Sequence, residues 1–404
     1  MNEHAQSTAC GIGAVRSARA IRAGGRVRDR PPFDCIALVL QGGGALGAYQ
    51  AGVYEALAEA GLEPDWVAGI SIGSINSAII AGNPPEARVD KLRSFWEGVT
   101  AKPWIPVFSL LQQIHADGGD LGRSIANNIN ALYSLFEGAP GFFNLRVPGP
   151  FLHPPGCLEA TSFYDTSVLR ATLERLIDFD RINAGEIHLS LGAVNVRSGN
   201  FVYFDNERHV IGPEHVMASG ALPPGFPAVE IEGEQYWDGG LVSNTPLQWV
   251  LRTRQDTLAF QVDLWSARGE FPRDISAVAT RQKEIQYSSR TRATTDHFRS
   301  LQQVRNSIAR LLDDLPPALR EHPEVNFLET VADRKVYSLI QLIYRSKNYE
   351  GESRDYEFSR RTMEEHWKAG YQDARRTLRH PEVLQRPDGQ DGIRTFDLAV
   401  DGRE

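Results

Sequence analysis

Two short stretches near the start of the chain combine residue types that chemistry can use. Residues 42–47 read GGGALG and close the apolar run CIALVL; residues 69–73 read GISIG and close the shorter run DWVA. Glycines in a strand-to-helix turn remove the Cβ atoms that would hold a ligand off the backbone. The helix that follows points unpaired N–H groups and the positive end of its dipole into the cleared space. Such a turn suits negative charge, either a nucleotide phosphate or the oxyanion of an acyl transfer, and the G-x-G-x-x-G spacing of Gly42, Gly44 and Gly47 serves both. A dinucleotide unit would close its next strand with an acidic residue about 20 positions on. Here Glu63 and Asp65 come before that strand, and the strand ends in Gly69-Ile70-Ser71.

Gly69-Ile70-Ser71-Ile72-Gly73 is G-x-S-x-G between an apolar run and a helix of small residues, the context of a nucleophile elbow. The flanking glycines allow the sharp turn that presents a hydroxyl, so Ser71 is the expected nucleophile; the bland alternative is a helix cap. One helix and one strand separate Gly47 from Ser71, so both turns are expected at the ends of neighbouring parallel strands. The N–H groups of Gly43, Gly44 and Ala45 then face the serine as oxyanion donors.

A serine needs a base. Ten histidines are available and none stands in a motif. The α/β-hydrolase order of serine, acid and histidine could be met by Asp263 and His297, but that fold puts its glycine turn much further upstream. Alternatively, Asp238 in YWDGGLVSNTP ends an aromatic strand, and Gly239 and Gly240 let its carboxylate approach another loop. An aspartate with a pKa of about 3.9 is a weak base unless burial raises it. Trp237 is one candidate to exclude water, and the helix beginning near Ile72 would acidify Ser71. A second Asp-Gly-Gly, at Asp117, lies in a polar loop and reads as a turn.

Taken together, GGGALG at 42–47, GISIG at 69–73, DGG at 238–240 and the approach ASGALPPGFPAVEIEGEQYWDGG resemble the patatin-like phospholipase family. The resemblance spans about residues 35–251. It implies hydrolysis of acyl esters of lipids without metal or cofactor, with Ser71 as nucleophile, Asp238 as base, and the turn from Gly42 to Gly47 as oxyanion hole. Many members carry Arg or Lys where this chain has Leu46. The region beyond, with DYEFSRRTMEEHW, looks like an extension borne by a bacterial branch of the family. Acyl transfer or polyester depolymerisation by the same dyad, and a noncatalytic nucleotide-binding module, are the competing readings.

These residues need a frame. FDCIALVL, DWVAGIS, EIHLSLGAVNV, NFVYFDN and TLAFQVDLW read as strands, with helical spacing from Ala45 to Ala60 ending at Gly61. Alternation of strands and helices predicts an α/β domain over 33–268, with a mainly parallel sheet flanked by helices. Residues 1–32, rich in Arg, Gly and Ala, are expected to be a flexible segment, and 269–404 a helical extension. That extension either packs on the sheet or offers Arg290, Arg292, Tyr344, Arg345 and Lys347 to a lipid surface. The Pro- and Gly-rich span 104–155 is open between a lid, a lipid-docking surface and a plain insertion.

The composition, 404 residues with 42% hydrophobic, 23% charged and a net charge of −8, excludes a wholly disordered chain and gives no bulk attraction for nucleic acid. Three scattered cysteines suggest neither a disulfide framework nor a metal site. No apolar run reaches the roughly 18 residues of a spanning helix. The expected protein is cytoplasmic, with lipid as substrate and a transient membrane surface as a partner; its oligomeric state is left open.

Overall fold

The computed structural model describes residues 30–100, 119–252, 255–346, 350–387 and 392–397. The expected flexible segment falls almost wholly outside them, as do Asp117 and Lys347. The frame is a nine-stranded sheet. Its centre is β1 (Cys35–Leu40) and β2 (Trp66–Ile70), parallel and in register from Ala37 opposite Trp66 to Leu40 opposite Gly69. Every residue of both strands is buried, the pattern of a parallel sheet covered on both faces. A separate two-stranded hairpin pairs β3 (Asn144–Leu145) with β4 (Tyr164–Asp165).

On one side of the centre, β5 (His188–Asn195) runs parallel to β2. It carries β6 (Phe201–Asp205) and β8 (Glu234–Asp238) antiparallel, and β7 (Val229–Ile231) pairs β8 at the edge. On the other side, β9 (Thr257–Asp263) runs parallel to β1. The expected α/β sheet is thus present, parallel through its middle and antiparallel at one edge.

The helix expected from Ala45 begins as a 3-10 turn over Gly44–Gly47 and continues as α1 (Ala48–Glu59), with Gly61 at φ +72° just beyond. α2 (Ile72–Ala81) follows β2 directly and is buried along its whole length.

Beyond residue 268 the expected helices are present, chiefly Ile275–Asp313 and Arg360–Thr377. The same stretch also supplies two strands that a helical reading did not include. β10 (Tyr337–Ile343) pairs β9 over seven positions, and β11 (Ile393–Phe396) pairs β10. The run YSLIQLI was hidden by its polar flanks. Tyr344, weighed as a lipid contact, is buried, with its ring 5.2 Å from Tyr49 and 5.0 Å from His366. Arg345 pairs with Asp397. The side chains of Arg290 and Arg292 lie outside the described set.

The helix Arg360–Thr377 crosses α1 at two glycines. A Cβ on Gly52 would stand 1.9 Å from the Trp367 carbonyl oxygen, and one on Gly370 would stand 2.0 Å from that of Tyr49. Helix propensity favours alanine over glycine by about 1 kcal/mol, but two backbones cannot yield to a contact that short. Gly370→Ala is therefore expected to lower stability by about 1–3 kcal/mol in thermal or urea denaturation. Gly98→Ala, where the space is open, should be neutral or stabilising.

Candidate active site

Ser71 leaves β2 with φ 56° and ψ −124°, a backbone state that a non-glycine residue holds at a cost of order 1–3 kcal/mol. The turn is too tight for side chains on either flank. A Cβ on Gly69 would come within 2.3 Å of the Gly73 carbonyl oxygen, and one on Gly73 within 2.3 Å of that of Leu40. Hydrogen bonds offset the strain. The Ser71 N–H donates to the Ser219 carbonyl at 3.1 Å and to the Ser219 hydroxyl at 3.1 Å, and the Ser71 carbonyl accepts from the Ser74 N–H and hydroxyl. What remains outward-facing is the half-buried Ser71 side chain at the N-terminus of α2.

Strand pairing explains how Asp238 arrives there. Gly192 of β5 has Ile70 on one flank and Tyr203 on the other; the next residue, Ala193, has Asp238 and Val202. Since β6 takes one flank at both positions, β2 and β8 share the opposite flank and meet end to end. Ser71 is the first residue past one strand end, and Asp238 is the last of the other. The chain must then turn aside at once. Gly239, where a Cβ would stand 2.6 Å from the Gly192 carbonyl oxygen, and the buried Gly240 provide that turn.

The Asp238 carboxylate is buried, within hydrogen-bonding range of the Ser71 side chain, and accepts the Gly240 N–H at 2.7 Å. Burial raises its pKa to about 6, with the bonds from Ser71 and Gly240 opposing the rise. Trp237 is not the shield the sequence suggested. Successive strand residues face opposite sides, so it points away from the face Asp238 occupies. The dehydration comes from the sheet interior and the segment before β8. There the Asp238 N–H donates to the Ala221 carbonyl, two residues after Ser219 takes the Ser71 N–H. The stretch ASGA at 218–221 therefore clasps both strand ends.

The glycine turn approaches from β1. A Cβ on Gly42 would lie 3.0 Å from the Ser71 Cβ and 2.4 Å from Asn244 Oδ1. The Gly42 N–H, one of the expected oxyanion donors, is already spent on the Asn244 carbonyl at 3.1 Å, so Gly42 supplies closeness and no donor. Gly47 also acts by packing: a Cβ there would meet Ile72 at 2.5 Å and Trp96 at 2.9 Å. Gly43 and Gly44 are half-buried, and the amides of Gly43, Gly44 and Ala45 open a helix with no backbone acceptor among the described residues. Leu46 is fully buried and belongs to the core.

Several supports of this turn carry no motif. Asn244 Nδ2 and Trp265 Nε1 both donate to the Gly42 carbonyl, at 3.0 and 3.1 Å. Gln41, fully buried, accepts the N–H groups of Leu264 and Trp265 and donates to Thr245. Gln50 donates to the Gln41 carbonyl, and Asn76 ties Gln50 to Gly47 and Trp96. A glutamine closing an apolar strand and an asparagine inside a buried helix are the sequence signals that could have revealed this network.

The alternatives do not assemble. Asp263 is buried and bonded to Gln261 and Thr245, whereas His297 is exposed on the helix Ile275–Asp313. Among the described residues no hydrogen bond joins Ser71 to a histidine. A Cβ at Gly44 would stand 2.0 Å from the Asp355 carbonyl oxygen, so this position of the turn admits only glycine.

A mostly parallel sheet thus brings a strained serine elbow, a buried carboxylate and a glycine turn to one edge. Comparison with known proteins narrows the class. A model described as patatin-like phospholipase matches residues 38–251, and one described as patatin phospholipase matches 285–390. The chain belongs to the patatin-like phospholipase family. Over 94 residues it is 38% identical to the mouse patatin-like phospholipase domain-containing protein 6, covering 23% of this chain and 7% of that one. A patatin-like phospholipase domain-containing protein of Caenorhabditis elegans is 38% identical over 77 residues, 19% of this chain and 6% of that one. The chain thus spans under a tenth of the length of these relatives. Among solved structures, VipD of Legionella pneumophila matches at 13% identity and a TM-score of 0.32, covering 91% of this chain and 72% of that one. A structure of ExoU with SpcU from Pseudomonas aeruginosa matches at 17% identity and 0.24, covering 74% and 60%.

Asn244 grips Gly42 through both its backbone carbonyl and its side chain, so it acts on the turn rather than on a reacting atom. Asn244→Ala is expected to lower kcat on a soluble p-nitrophenyl ester by about 10–100-fold, with KM unchanged within about twofold. A rise in KM at unchanged kcat would contradict this positioning role.

Proposed function

We propose that the protein is a lipid acyl hydrolase that cleaves acyl esters of phospholipids or lysophospholipids through a Ser71–Asp238 dyad. What supports this reading is that β2 and β8 end against each other on one flank of β5, which brings the buried Asp238 carboxylate to the Ser71 elbow, and that the glycine turn packs there so closely that a Cβ on Gly42 would lie 3.0 Å from the Ser71 Cβ. Asp238 takes the hydroxyl proton as Ser71 Oγ attacks the acyl carbonyl carbon. The carbonyl oxygen becomes an oxyanion facing the N–H groups of Gly43, Gly44 and Ala45. Collapse of this intermediate breaks the ester C–O bond, and the leaving alcohol receives the proton from Asp238.

Ser71 now carries the acyl group. A water molecule gives a proton to Asp238 and adds to the acyl carbon; collapse returns the hydroxyl to Ser71 and releases a fatty acid. The raised pKa makes Asp238 a better base than an ordinary aspartate, and the dipole of α2 favours the developing alkoxide. With a lipid as acyl donor, the protein works at a membrane surface as a peripheral enzyme. An acyltransferase or a polyester depolymerase would share the first half of this sequence, and analysis of the products from defined lipids separates them.

Ser71→Ala and Asp238→Asn are each expected to lower kcat/KM on lipid and soluble esters by on the order of 10⁴-fold. A fluorophosphonate probe should label the wild type at Ser71. Hydrolysis by a protein that resists the probe would remove the mechanism. Because Asp238 must be ionised, kcat/KM should fall about tenfold per pH unit below its pKa of about 6 and level off above it.

The same shift predicts stability. The folded pKa of Asp238 lies above its unfolded value, so ionisation opposes folding, and the cost grows as pH rises through that interval and is complete above about 6. Asp238→Asn should therefore stabilise the protein at pH 8 by on the order of 1–3 kcal/mol, with the gain shrinking toward pH 4. Urea midpoints of the two proteins at both pH values check the sign.

A further inference from the structure

The hairpin of β3 and β4 closes around residues 147–158, which carry no Asp, Glu, Lys or Arg. This tip holds three strongly exposed apolar side chains: Phe151 is 89% exposed, Val147 83% and Leu152 77%. Side chains this bare stand clear of the protein instead of forming a flat, half-packed face. A folded partner would need a matching cavity for each, whereas a fluid acyl layer needs none. Nothing charged in the tip would have to be desolvated on entering such a layer.

The tip is anchored, and several of its backbone polar groups are bonded locally. Leu152 N–H donates to the Gly149 carbonyl, His153 N–H to that of Pro150, and the His153 ring lies 3.1 Å from the Pro148 carbonyl. Below it, Arg146 donates from Nη2 to the Ser162 hydroxyl and the Tyr164 carbonyl, both at 3.3 Å. Tyr164 and Phe143 pack on Phe226 at ring distances of 6.1 and 5.2 Å.

From the tip, contacts lead to the segment that clasps both strand ends. The Phe151 ring lies 6.0 Å from that of Phe163, whose N–H donates to the Pro224 carbonyl. Pro224 belongs to the segment that holds Ser71 through Ser219 and Asp238 through Ala221. Leu222 in that segment and Leu241 just past Asp238 are exposed as well. Exposed apolar side chains thus stand both at the tip and along the chain that flanks Ser71 and Asp238.

We propose that residues 147–158 are the element by which the protein docks on the face of a phospholipid bilayer, setting the Ser71 hydroxyl against the lipid layer. This inference rests on the lipid-hydrolase reading and names the surface that reading needs.

The test uses Ser71→Ala protein, so that lipid stays intact, sedimented with vesicles of dioleoylphosphatidylcholine, with and without the pair Phe151→Asp and Leu152→Asp. The pair should reduce vesicle partitioning by about 100-fold, the loss expected for two large apolar side chains. Raising sodium chloride to about 0.5 M should leave the parent's binding unchanged, since no ion pairing is invoked. In protein with Ser71 intact, the pair should lose hydrolysis of vesicle lipid and keep that of p-nitrophenyl butyrate within about twofold.

Unchanged vesicle binding by the pair would overturn the proposal. So would an equal loss on both substrates, which would put these residues in the chemistry, and so would a parent dimer that the pair splits without change in vesicle binding. If binding falls as expected but intact protein cleaves neither substrate, the docking surface stands and the hydrolase reading falls.

Discussion

The site depends on one packing constraint, two strand ends meeting on the same flank of β5. β2 stops opposite Gly192 and β8 stops opposite Ala193, so the residues at the junction cannot avoid each other. Everything unusual nearby follows. The chain leaving β2 must turn sharply, which puts Ser71 at positive φ between two glycines; the chain leaving β8 must do the same, which demands Gly239 and Gly240. A serine and an aspartate separated by 167 positions in sequence are brought to one place by backbone geometry alone.

That constraint also explains the electrostatics. A strand end butted against another strand end leaves little room for water, so Asp238 is dehydrated and its pKa rises. No nearby cation is among the causes of its shift; only the Ser71 hydroxyl and one backbone amide oppose the rise. A cation there would favour the carboxylate, lower its pKa and weaken it as a base. The fold instead tolerates an ionisable group without a cation beside it, a local loss of stability that the surrounding sheet can absorb.

Much of this was legible in the sequence because tight turns demand glycine. Gly69 and Gly73, Gly239 and Gly240, and the run from Gly42 to Gly44 mark where backbone must approach backbone, and the apolar runs beside them mark the strands. What the letters could not carry was which polar groups fill the gaps so made. Gly42 reads as a ligand-facing amide, yet its N–H is taken by Asn244, a residue 202 positions later that only the fold brings near. Trp237 reads as a neighbour of Asp238 in sequence, yet strand alternation puts it on the other face. β10 is not legible in the sequence because a short apolar run between polar stretches has no periodicity of its own.

The extension beyond residue 268 is the part whose role changes most between sequence and structure. It is no appended layer. β10 covers the flank of β9, which would otherwise present a long, fully buried strand as a sheet edge. The Asp355 carbonyl fills the space in front of Gly44, the Tyr287 carbonyl takes a long bond from Gln41, and Arg354 stacks 4.9 Å over the Trp265 ring that holds Gly42. Gly43, Gly44 and Ala45 lie between two restraints of different origin: Asn244 and Trp265 fix the strand side of the turn, and the extension closes the other. Donors aimed at a developing charge are useful only if they need no rearrangement when it forms. A glycine turn is the backbone most able to rearrange, so its rigidity has to come from outside itself, and here a large share comes from the last third of the chain.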